Sequence, residues 1–358
     1  MPETLKVNGF LSLPATELTI HPITVVIGPQ ATGKSVLAKL VFFFREFPSF
    51  ILSALEENSK KRQLDALIIN RFREYFPASS WRQSDFSIHY SIDEHWIKID
   101  ATNTASGHKV ELDYSEWYVN EFRRLKTIFK RASESSPEAS FNFADTGQFR
   151  ANKALTNAID RDFPTNYPQR QVFAPAGRAF FALLQSGIFS FLSSNNAIDP
   201  FLQRFGAYYE NLKRQINRPP MRRFGSAAAR RVDRTKEIEK LVNEIICGEY
   251  SSEKGKDFLH VSGGRKIGLA TASSGQQEAL PLALLLKIEA QRALEFRAAC
   301  CLTIEEPEAH LFPRAQRSIV ELIATIYRMT DGRTRFIITT HSPYVLTALN
   351  NIAYAART

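Results

Sequence analysis

Eight consecutive residues, Gly28-Pro29-Gln30-Ala31-Thr32-Gly33-Lys34-Ser35, hold two glycines apart by four positions and close on a cation and a hydroxyl. That order suits a polyphosphate. The glycines let backbone N–H groups turn toward phosphate oxygens, and a following helix start adds a favourable partial charge. Lys34 is spaced to reach the β- and γ-phosphates, and Ser35 to ligate Mg2+. A Gly-rich turn met by chance is the competing reading, and the flanks speak against it. Ile23-Thr24-Val25-Val26-Ile27 is apolar or β-branched throughout, as a buried parallel strand requires. Ser35 to Phe44 has no Gly or Pro and reads as a helix that Pro48 stops. Strand, loop and helix are the context in which this spacing binds a nucleotide. ATP with Mg2+ is the expected pair.

Three further groups gain meaning beside that loop. Leu302-Thr303-Ile304-Glu305-Glu306-Pro307-Glu308 brings two adjacent carboxylates to the end of an apolar strand. One can hold Mg2+, and the next can polarise a water. Alone, this is an ordinary acidic turn. Ser273-Ser274-Gly275-Gln276-Gln277 opens a helix with hydroxyls and a glycine, either a second anion site or a common Ser cap. Pro281 sits just inside, so this helix starts late or kinks. Thr339-Thr340-His341-Ser342-Pro343 puts a histidine after an apolar strand, where it can bond a γ-phosphate. A lone histidine there is more often structural.

Several elements must position these groups. Residues 5 to 27 read as strands, and 49 to 77 as amphipathic helix. Phe86 to Asp93, Trp96 to Ala101 and Lys109 to Tyr114 alternate with period two, which predicts an antiparallel meander. Residues 132 to 167 are rich in Ser, Asn, Asp and Pro and read as a long loop or a partly ordered insertion. Gln171 to Ala174 reads as another core strand, running out at Pro175-Ala176-Gly177-Arg178. Residues 179 to 247 read as mostly helical, broken at Pro219-Pro220. Cys300 to Ile304 and Phe336 to Thr340 are short core strands. Strands alternating with helices predict a mostly parallel sheet with ligands at its carboxyl edge. No repeat and no sustained heptad is present, which argues against a long coiled coil.

Bulk properties narrow the class. The 358 residues are 44% hydrophobic and 23% charged, ordinary for a globular chain, and 27 phenylalanines predict an aromatic core. The longest apolar stretches, such as Leu280 to Ile288, are too short for a membrane span. The N-terminus carries no secretory pattern. Cys247, Cys300 and Cys301 are not spaced as metal ligands, and the adjacent pair reads as buried thiols of a cytoplasmic protein. Lys and Arg exceed Asp and Glu by 46 to 37, which suits a polyanionic partner such as nucleic acid.

Taken in order, P-loop, Ser-Ser-Gly-Gln, Glu-Glu after a strand and His after a strand resemble the motifs of ABC-type ATPases. The wording Ile304-Glu305-Glu306-Pro307-Glu308-Ala309-His310-Leu311, followed by Thr339-Thr340-His341-Ser342-Pro343, is narrower. It resembles the ATPase domains of the OLD (overcoming lysogenisation defect) family and related bacterial defence ATPases of the Septu, retron-associated and PARIS types. The resemblance is strong over residues 5–44 and 262–350 and weak between them.

The resemblance implies an α/β P-loop NTPase of ABC-ATPase type, with a mixed, mostly parallel sheet, an antiparallel β meander and a helical insertion. It divides the chain into a first part of the head (1–130), a loop and basic helical insertion (131–260), and a second part of the head (261–358). Gly28 to Ser35 would be Walker A, Glu305 the Walker B carboxylate near Mg2+, and Glu306 the catalytic base. Ser274, Gly275 and Gln276 would be the signature, contacting the γ-phosphate of ATP held by another subunit. His341 would be the switch histidine. The segment ending at Arg178 would stand at the Q-loop, without its Gln, and adds Arg178 to the nucleotide-contacting set. Gln30 replaces the usual Asn. The segment after Glu308 lacks the Asp of transporter D-loops and carries His310, for which communication between sites and a structural role both stay open. Only seventeen residues follow His341, too few for the Toprim nuclease domain of full-length OLD proteins. The nuclease or toxic effector is then a separate chain, or the sequence is truncated.

Arg222, Arg223, Arg230, Arg231 and Arg234 crowd one stretch of the insertion. They could grip a phosphate backbone, form a solvated helical face, or meet an acidic protein. The leading expectation is a dimeric ABC-type ATPase that controls an effector in anti-phage defence. A RecF- or Rad50-like repair ATPase, and a scaffold whose turnover is incidental, are the alternatives. A transporter subunit fits least, because Lys34 to Gly275 spans too much sequence.

Overall fold

From the N-terminus the elements run β1 (Glu3–Asn8), β2 (Thr16–Ile20), β3 (Ile23–Ile27), α1 (Lys34–Arg45), α2 (Phe47–Glu56), α3 (Lys61–Tyr75), β4 (Phe86–Ile92), β5 (His95–Thr104), β6 (Gly107–Tyr114), α4 (Glu116–Glu134), α5 (Gly147–Asp162) and β7 (Arg170–Ala174). Then come α6 (Phe180–Leu183), α7 (Pro200–Ile216), α8 (Ser226–Ile246), β8 (Glu249–Glu253), β9 (Lys256–Val261), β10 (Arg265–Gly268), α9 (Ser274–Phe296), β11 (Cys300–Glu305), α10 (Pro313–Met329), β12 (Thr334–Thr340) and α11 (Pro343–Ala355). The computed structural model describes residues 2–11, 13–81, 84–104, 107–134, 146–183, 198–216, 226–253, 256–296 and 299–355. They form two compact units: Met1–His21 with Ala31–Gln169, and Pro22–Gln30 with Arg170–Thr358.

The first unit is built on an antiparallel sheet of order β2-β1-β4-β5-β6. The period-two alternation has its physical reason here. Phe86, Ile88, Tyr90 and Ile92 of β4 face the core with Ile97, Ile99 and Ala101 of β5. The phenylalanine-rich core is also real. Phe10 lies 5.7, 5.4 and 4.7 Å from the rings of Phe72, Phe76 and Phe86, and Phe43 lies 5.4 Å from Phe72. A buried ion pair ties the end of α1 to β1. Arg45 donates from Nε and Nη2 to the two Glu3 carboxylate oxygens at 2.6 Å each, and the Tyr90 hydroxyl donates to Glu3 Oε1 at 2.6 Å.

Two local expectations are corrected. Pro48 does not end helical structure: α1 stops at Arg45, and Pro48 falls in the first turn of α2, where a fixed φ suits a helix start. Residues 132–167 are not simply a loop. α5 occupies Gly147–Asp162, and its start is capped by the Thr146 hydroxyl, which accepts the Phe149 N–H at 3.2 Å. Residues 135–145 and the break at Pro219-Pro220 lie outside the described residues.

The second unit holds a parallel sheet of order β3-β12-β11-β7 and an antiparallel sheet of order β10-β9-β8. Parallel and antiparallel strands thus occupy separate sheets. Every residue of β11 is buried, which explains its unbroken apolar run. Leu282, Leu285 and Leu286 of α9 share a core with Leu302 and Ile304 of β11, Leu322 and Ile326 of α10, and Phe336 and Ile338 of β12. α9 continues through Pro281, which cannot donate to the Gln277 carbonyl. The boundaries expected at 130/131 and 260/261 do not match these units. Ala31–Gln169 groups with β1 and β2, β3 groups with the C-terminal half, and Arg170–Ala174 pairs directly with β11. Strand pairing joins segments far apart in sequence, so linear composition could not mark the border.

Burial also sorts the cysteines. Cys247 is exposed, whereas Cys300 and Cys301 are buried. Burial pushes the Cys300 thiol up to about 12, so it stays protonated near neutral pH. A thiol-specific reagent should label one cysteine in the native protein and three after denaturation, read by intact mass. Three labels in the native state would contradict the packing of β11.

Candidate nucleotide-hydrolysis site

The loop after β3 runs straight into α1, as its spacing predicted. Gly28 to Gln30 close the β3 segment of the second unit, and Ala31 begins the portion grouped with the first. Ala31 and Gly33 both take left-handed backbone angles, φ 60° and 86°. Gly33 adopts this at little cost, whereas Ala31 is strained, a feature common at functional turns. Gly33 precedes α1, and its carbonyl accepts the Leu37 N–H at 3.0 Å. Lys34 is buried at 9% exposure, and Ser35 is exposed.

The parallel sheet aligns the remaining motifs by register. Thr340 of β12 pairs with Ile27 of β3, Glu305 of β11 with Thr339 of β12, and Ile304 with Ala174 of β7. Gly28, His341, Glu306 and Pro175 therefore leave the same carboxyl edge. The order of the parallel strands explains why residues 28, 174, 305 and 340 belong together despite their separation in sequence.

Glu305 is buried, and one oxygen, Oε2, accepts the Ala176 N–H at 3.3 Å. The other, Oε1, is buried without a hydrogen-bond partner among the described residues. A buried carboxylate oxygen left this way suits a hard cation. No cluster of three or more His, Cys, Asp or Glu among the described residues could hold a metal alone. A cation here would need oxygen ligands from a nucleotide and water as well.

Glu306 departs from ordinary backbone. Its φ is 42°, its N–H donates to the Thr339 carbonyl at 2.8 Å, and its carboxylate lies 3.5 Å from His341 Nδ1. A second carboxylate, which the sequence reading assigned no role, completes the group. Glu308 is buried, and its Oε1 accepts the Thr340 hydroxyl at 2.6 Å and the His341 N–H at 3.0 Å, with His341 Nδ1 3.5 Å away. Glu308 thus fixes both the turn and the ring of His341. Its place within Glu305-Glu306-Pro307-Glu308 was the available signal. Replacing Glu308 by Ala should leave ATP affinity within a few-fold and lower kcat by about ten- to a hundredfold through misplacement of His341. Steady-state kinetics check this, and an unchanged kcat would refute the role.

The start of α9 is a capping box. The Ser273 hydroxyl accepts the Gln276 N–H at 3.3 Å, and Gln276 Oε1 accepts the Ser273 N–H at 3.2 Å. Gln276 Nε2 donates to the Ile246 carbonyl at 3.0 Å. The Gln276 side chain is therefore engaged within the protein at both ends, unlike the phosphate contact the resemblance implied for it. Ser274 is exposed. Gly275 is needed for space: a Cβ there would lie 2.8 Å from the His310 carbonyl. The backbone of His310, whose φ is 59°, thus lies close against the start of α9.

Arg178 does not have the expected role. It is wholly buried. Nε donates to the Glu278 carbonyl at 3.3 Å, Nη1 to the Pro175 and Glu305 carbonyls at 2.8 and 2.7 Å, and Nη2 to the Glu306 carbonyl at 2.9 Å. Nη2 also lies 3.2 Å from Glu278 Oε1. Four N–H donors are spent on backbone carbonyls and the charge is paired with the Glu278 carboxylate, inside a site closed to solvent. Burial lowers the Arg178 guanidinium from its ordinary value, while Glu278, Glu305, Glu308 and Glu306 pull it back up. Of the basic patch, Arg222 and Arg223 lie outside the described residues, and Arg230, Arg231 and Arg234 fall on the α8 backbone, their side chains outside the description.

A strand–P-loop–helix unit, a parallel sheet carrying Glu-Glu and His at one edge, and a separate antiparallel meander give an α/β fold of the P-loop NTPase class. The chain belongs to the family described as "AAA domain, putative AbiEii toxin, Type IV TA system", whose profile matches residues 23–347. Among curated proteins none matches. Solved structures similar to the chain include the SMC head domain from Thermotoga maritima, at 15% identity over 97% of this chain and 92% of that one, with a TM-score of 0.36. Another is the Smc head domain with an extended coiled coil bound to the C-terminal domain of ScpA, derived from Pyrococcus furiosus, at 13% identity over 97% and 92%, with a TM-score of 0.39. The recombination mediator protein RecF with ATP is similar at 13% identity over 96% and 93%, with a TM-score of 0.32. Among the described residues no helix is long and apolar enough to cross a membrane.

Proposed function

We propose that the chain binds and hydrolyses ATP, dimerises head to tail around it, and thereby controls a separately encoded effector, a nuclease or toxic protein, in anti-phage defence. Gly28 to Ser35 cradle the phosphates, with Lys34 on the β- and γ-oxygens. Ser35 and Glu305 would hold Mg2+, which would neutralise phosphate charge. Glu306 takes the proton of the attacking water, and His341 bonds the γ-phosphate. Ser274 and the first N–H groups of α9 serve the nucleotide of the other subunit.

The observation that carries this reading is the cluster of Glu305, Glu306, Glu308 and His341 on paired strand ends. Glu305 Oε1 and Glu308 Oε2 are buried without hydrogen-bond partners among the described residues, and the Glu306 and Glu308 carboxylates flank one imidazole. The family description, which includes a toxin of a type IV toxin–antitoxin system, supports an effector under nucleotide control. Affinity capture of the tagged chain together with the product of its neighbouring gene tests the effector clause. A stoichiometric complex released or remodelled by ATP supports it. A chain that instead loads alone onto DNA with ATP favours a repair ATPase, and salt dependence then reports on the arginines of residues 222–234.

A further inference from the structure

Arg178 and Glu278 lie outside every role assigned above, yet both are buried charges at the centre of the site. Arg178 touches three separate segments. It holds the carbonyl of Pro175 after β7, the consecutive carbonyls of Glu305 and Glu306 after β11, and both the carbonyl and the carboxylate of Glu278 in α9. The Glu278 carboxylate in turn accepts the N–H of Arg178 at 2.9 Å and of Ala179 at 2.7 Å. Glu278 sits one helical turn beyond Ser274. The same helix start meets the other end of the Glu305–Leu311 segment, where Gly275 packs on the His310 carbonyl.

We infer that Arg178 and Glu278 are positioning residues that couple the start of α9 to the Glu305–Glu306 turn, so that engagement of the helix start by a nucleotide sets the placement of Glu306. A helix shift at Glu278 cannot leave the turn where it is. It must either break a buried charge pair or carry the Glu305 and Glu306 carbonyls with it, because one rigid, planar guanidinium bonds all of them. The turn is poised to respond, since Glu306 is held at φ 42°, a conformation that persists only where its surroundings impose it. Lysine cannot replace Arg178 here, as three donors on a point charge cannot meet four carbonyls spread over three segments.

The inference rests on the proposed role of Glu306 as base, and the test separates the two. Hydrogen exchange is measured on the wild-type chain, Glu278→Gln and Arg178→Lys. The reporters are the amides of Glu306, bonded to the Thr339 carbonyl, and Ala309, bonded to the Glu306 carbonyl. Glu278→Gln keeps the side chain's shape and one acceptor oxygen, so it serves where Arg178→Lys does not fold. Coupling predicts that Glu278→Gln speeds exchange at Glu306 and Ala309 by about tenfold or more while the centres of β11 and β12 stay protected. ATP with Mg2+ should slow those two amides in the wild type and much less in the variant. With turnover measured, kcat falls about tenfold and the KM for ATP stays within about twofold. Faster exchange confined to α9, or spread equally over β11 and β12, would overturn the coupling. A wild-type chain that releases no phosphate would defeat the reading of Glu306 as base, while the exchange pattern would still decide whether the two segments are linked.

Discussion

Replacing Glu306 by glutamine slows ATP hydrolysis by about 10²- to 10⁴-fold, the range for losing a positioned general base. That corresponds to roughly 2.7–5.5 kcal/mol of barrier. Glutamine preserves the size of the side chain and every backbone contact of the turn, including the N–H to the Thr339 carbonyl and the carbonyl bonded by Arg178. What disappears is the negative charge beside His341 and the capacity to accept a proton from water. ATP affinity should hold or rise, because a carboxylate no longer repels the γ-phosphate. Bound ATP that is not consumed should stabilise the dimer. Phosphate release and light scattering with ATP and Mg2+ measure both effects. Turnover within threefold of wild type would remove Glu306 from the mechanism.

The second large effect is on stability and lies far from the chemistry. Glu3→Ala leaves Arg45 as an uncompensated charge in the core, where the paired side chains are 6% and 1% exposed. Breaking a buried pair by removing one partner costs about 3–5 kcal/mol. For a chain of this size that lowers Tm by on the order of 10 °C. The Tyr90 hydroxyl loses its acceptor as well. Arg45 ends the helix that begins with Lys34, so nucleotide binding should weaken together with stability. Replacing both partners, as Glu3→Leu with Arg45→Met, should recover most of the loss, since an apolar pair carries no desolvation penalty. Thermal unfolding of the wild type and the two variants decides. A single variant as stable as wild type would show that the pair does not anchor α1.

The parts of this protein legible in its sequence are those where local pattern and long-range packing agree. The P-loop was readable because its glycines, lysine and serine sit in eight consecutive residues between a β-branched strand and a Gly-free helix. The meander was readable because one face of β4 and β5 is wet. Glu305, Glu306 and His341 stood out as candidates because they end or follow apolar strands. Arg178 was misread. The resemblance placed it at the Q-loop among the nucleotide contacts, whereas the pairing of β7 with β11 buries it against the Pro175, Glu305, Glu306 and Glu278 carbonyls. Glu308 was passed over because its partners, Thr340 and His341, lie over thirty residues away. α5 was hidden by polar composition, since its buried face is carried by Gly147, Ala151, Leu155, Ala158 and Ile159. Gln276 resembled a phosphate ligand because a capping box and a signature motif use the same residue types.

The central claim is that the loop at Gly28–Ser35 is half of a site that another subunit completes through Ser274. Mixing two inactive variants tests it directly. Lys34→Ala disables the phosphate loop, and Ser274→Arg blocks the helix start. If each site joins the loop of one subunit to the helix start of the other, each variant alone is inactive. Random exchange into mixed dimers then restores about a quarter of wild-type turnover, because half the dimers are mixed and each holds one intact site. No recovery on mixing, with both variants folded and exchanging subunits, would contradict the shared site. So would full activity of Ser274→Arg alone.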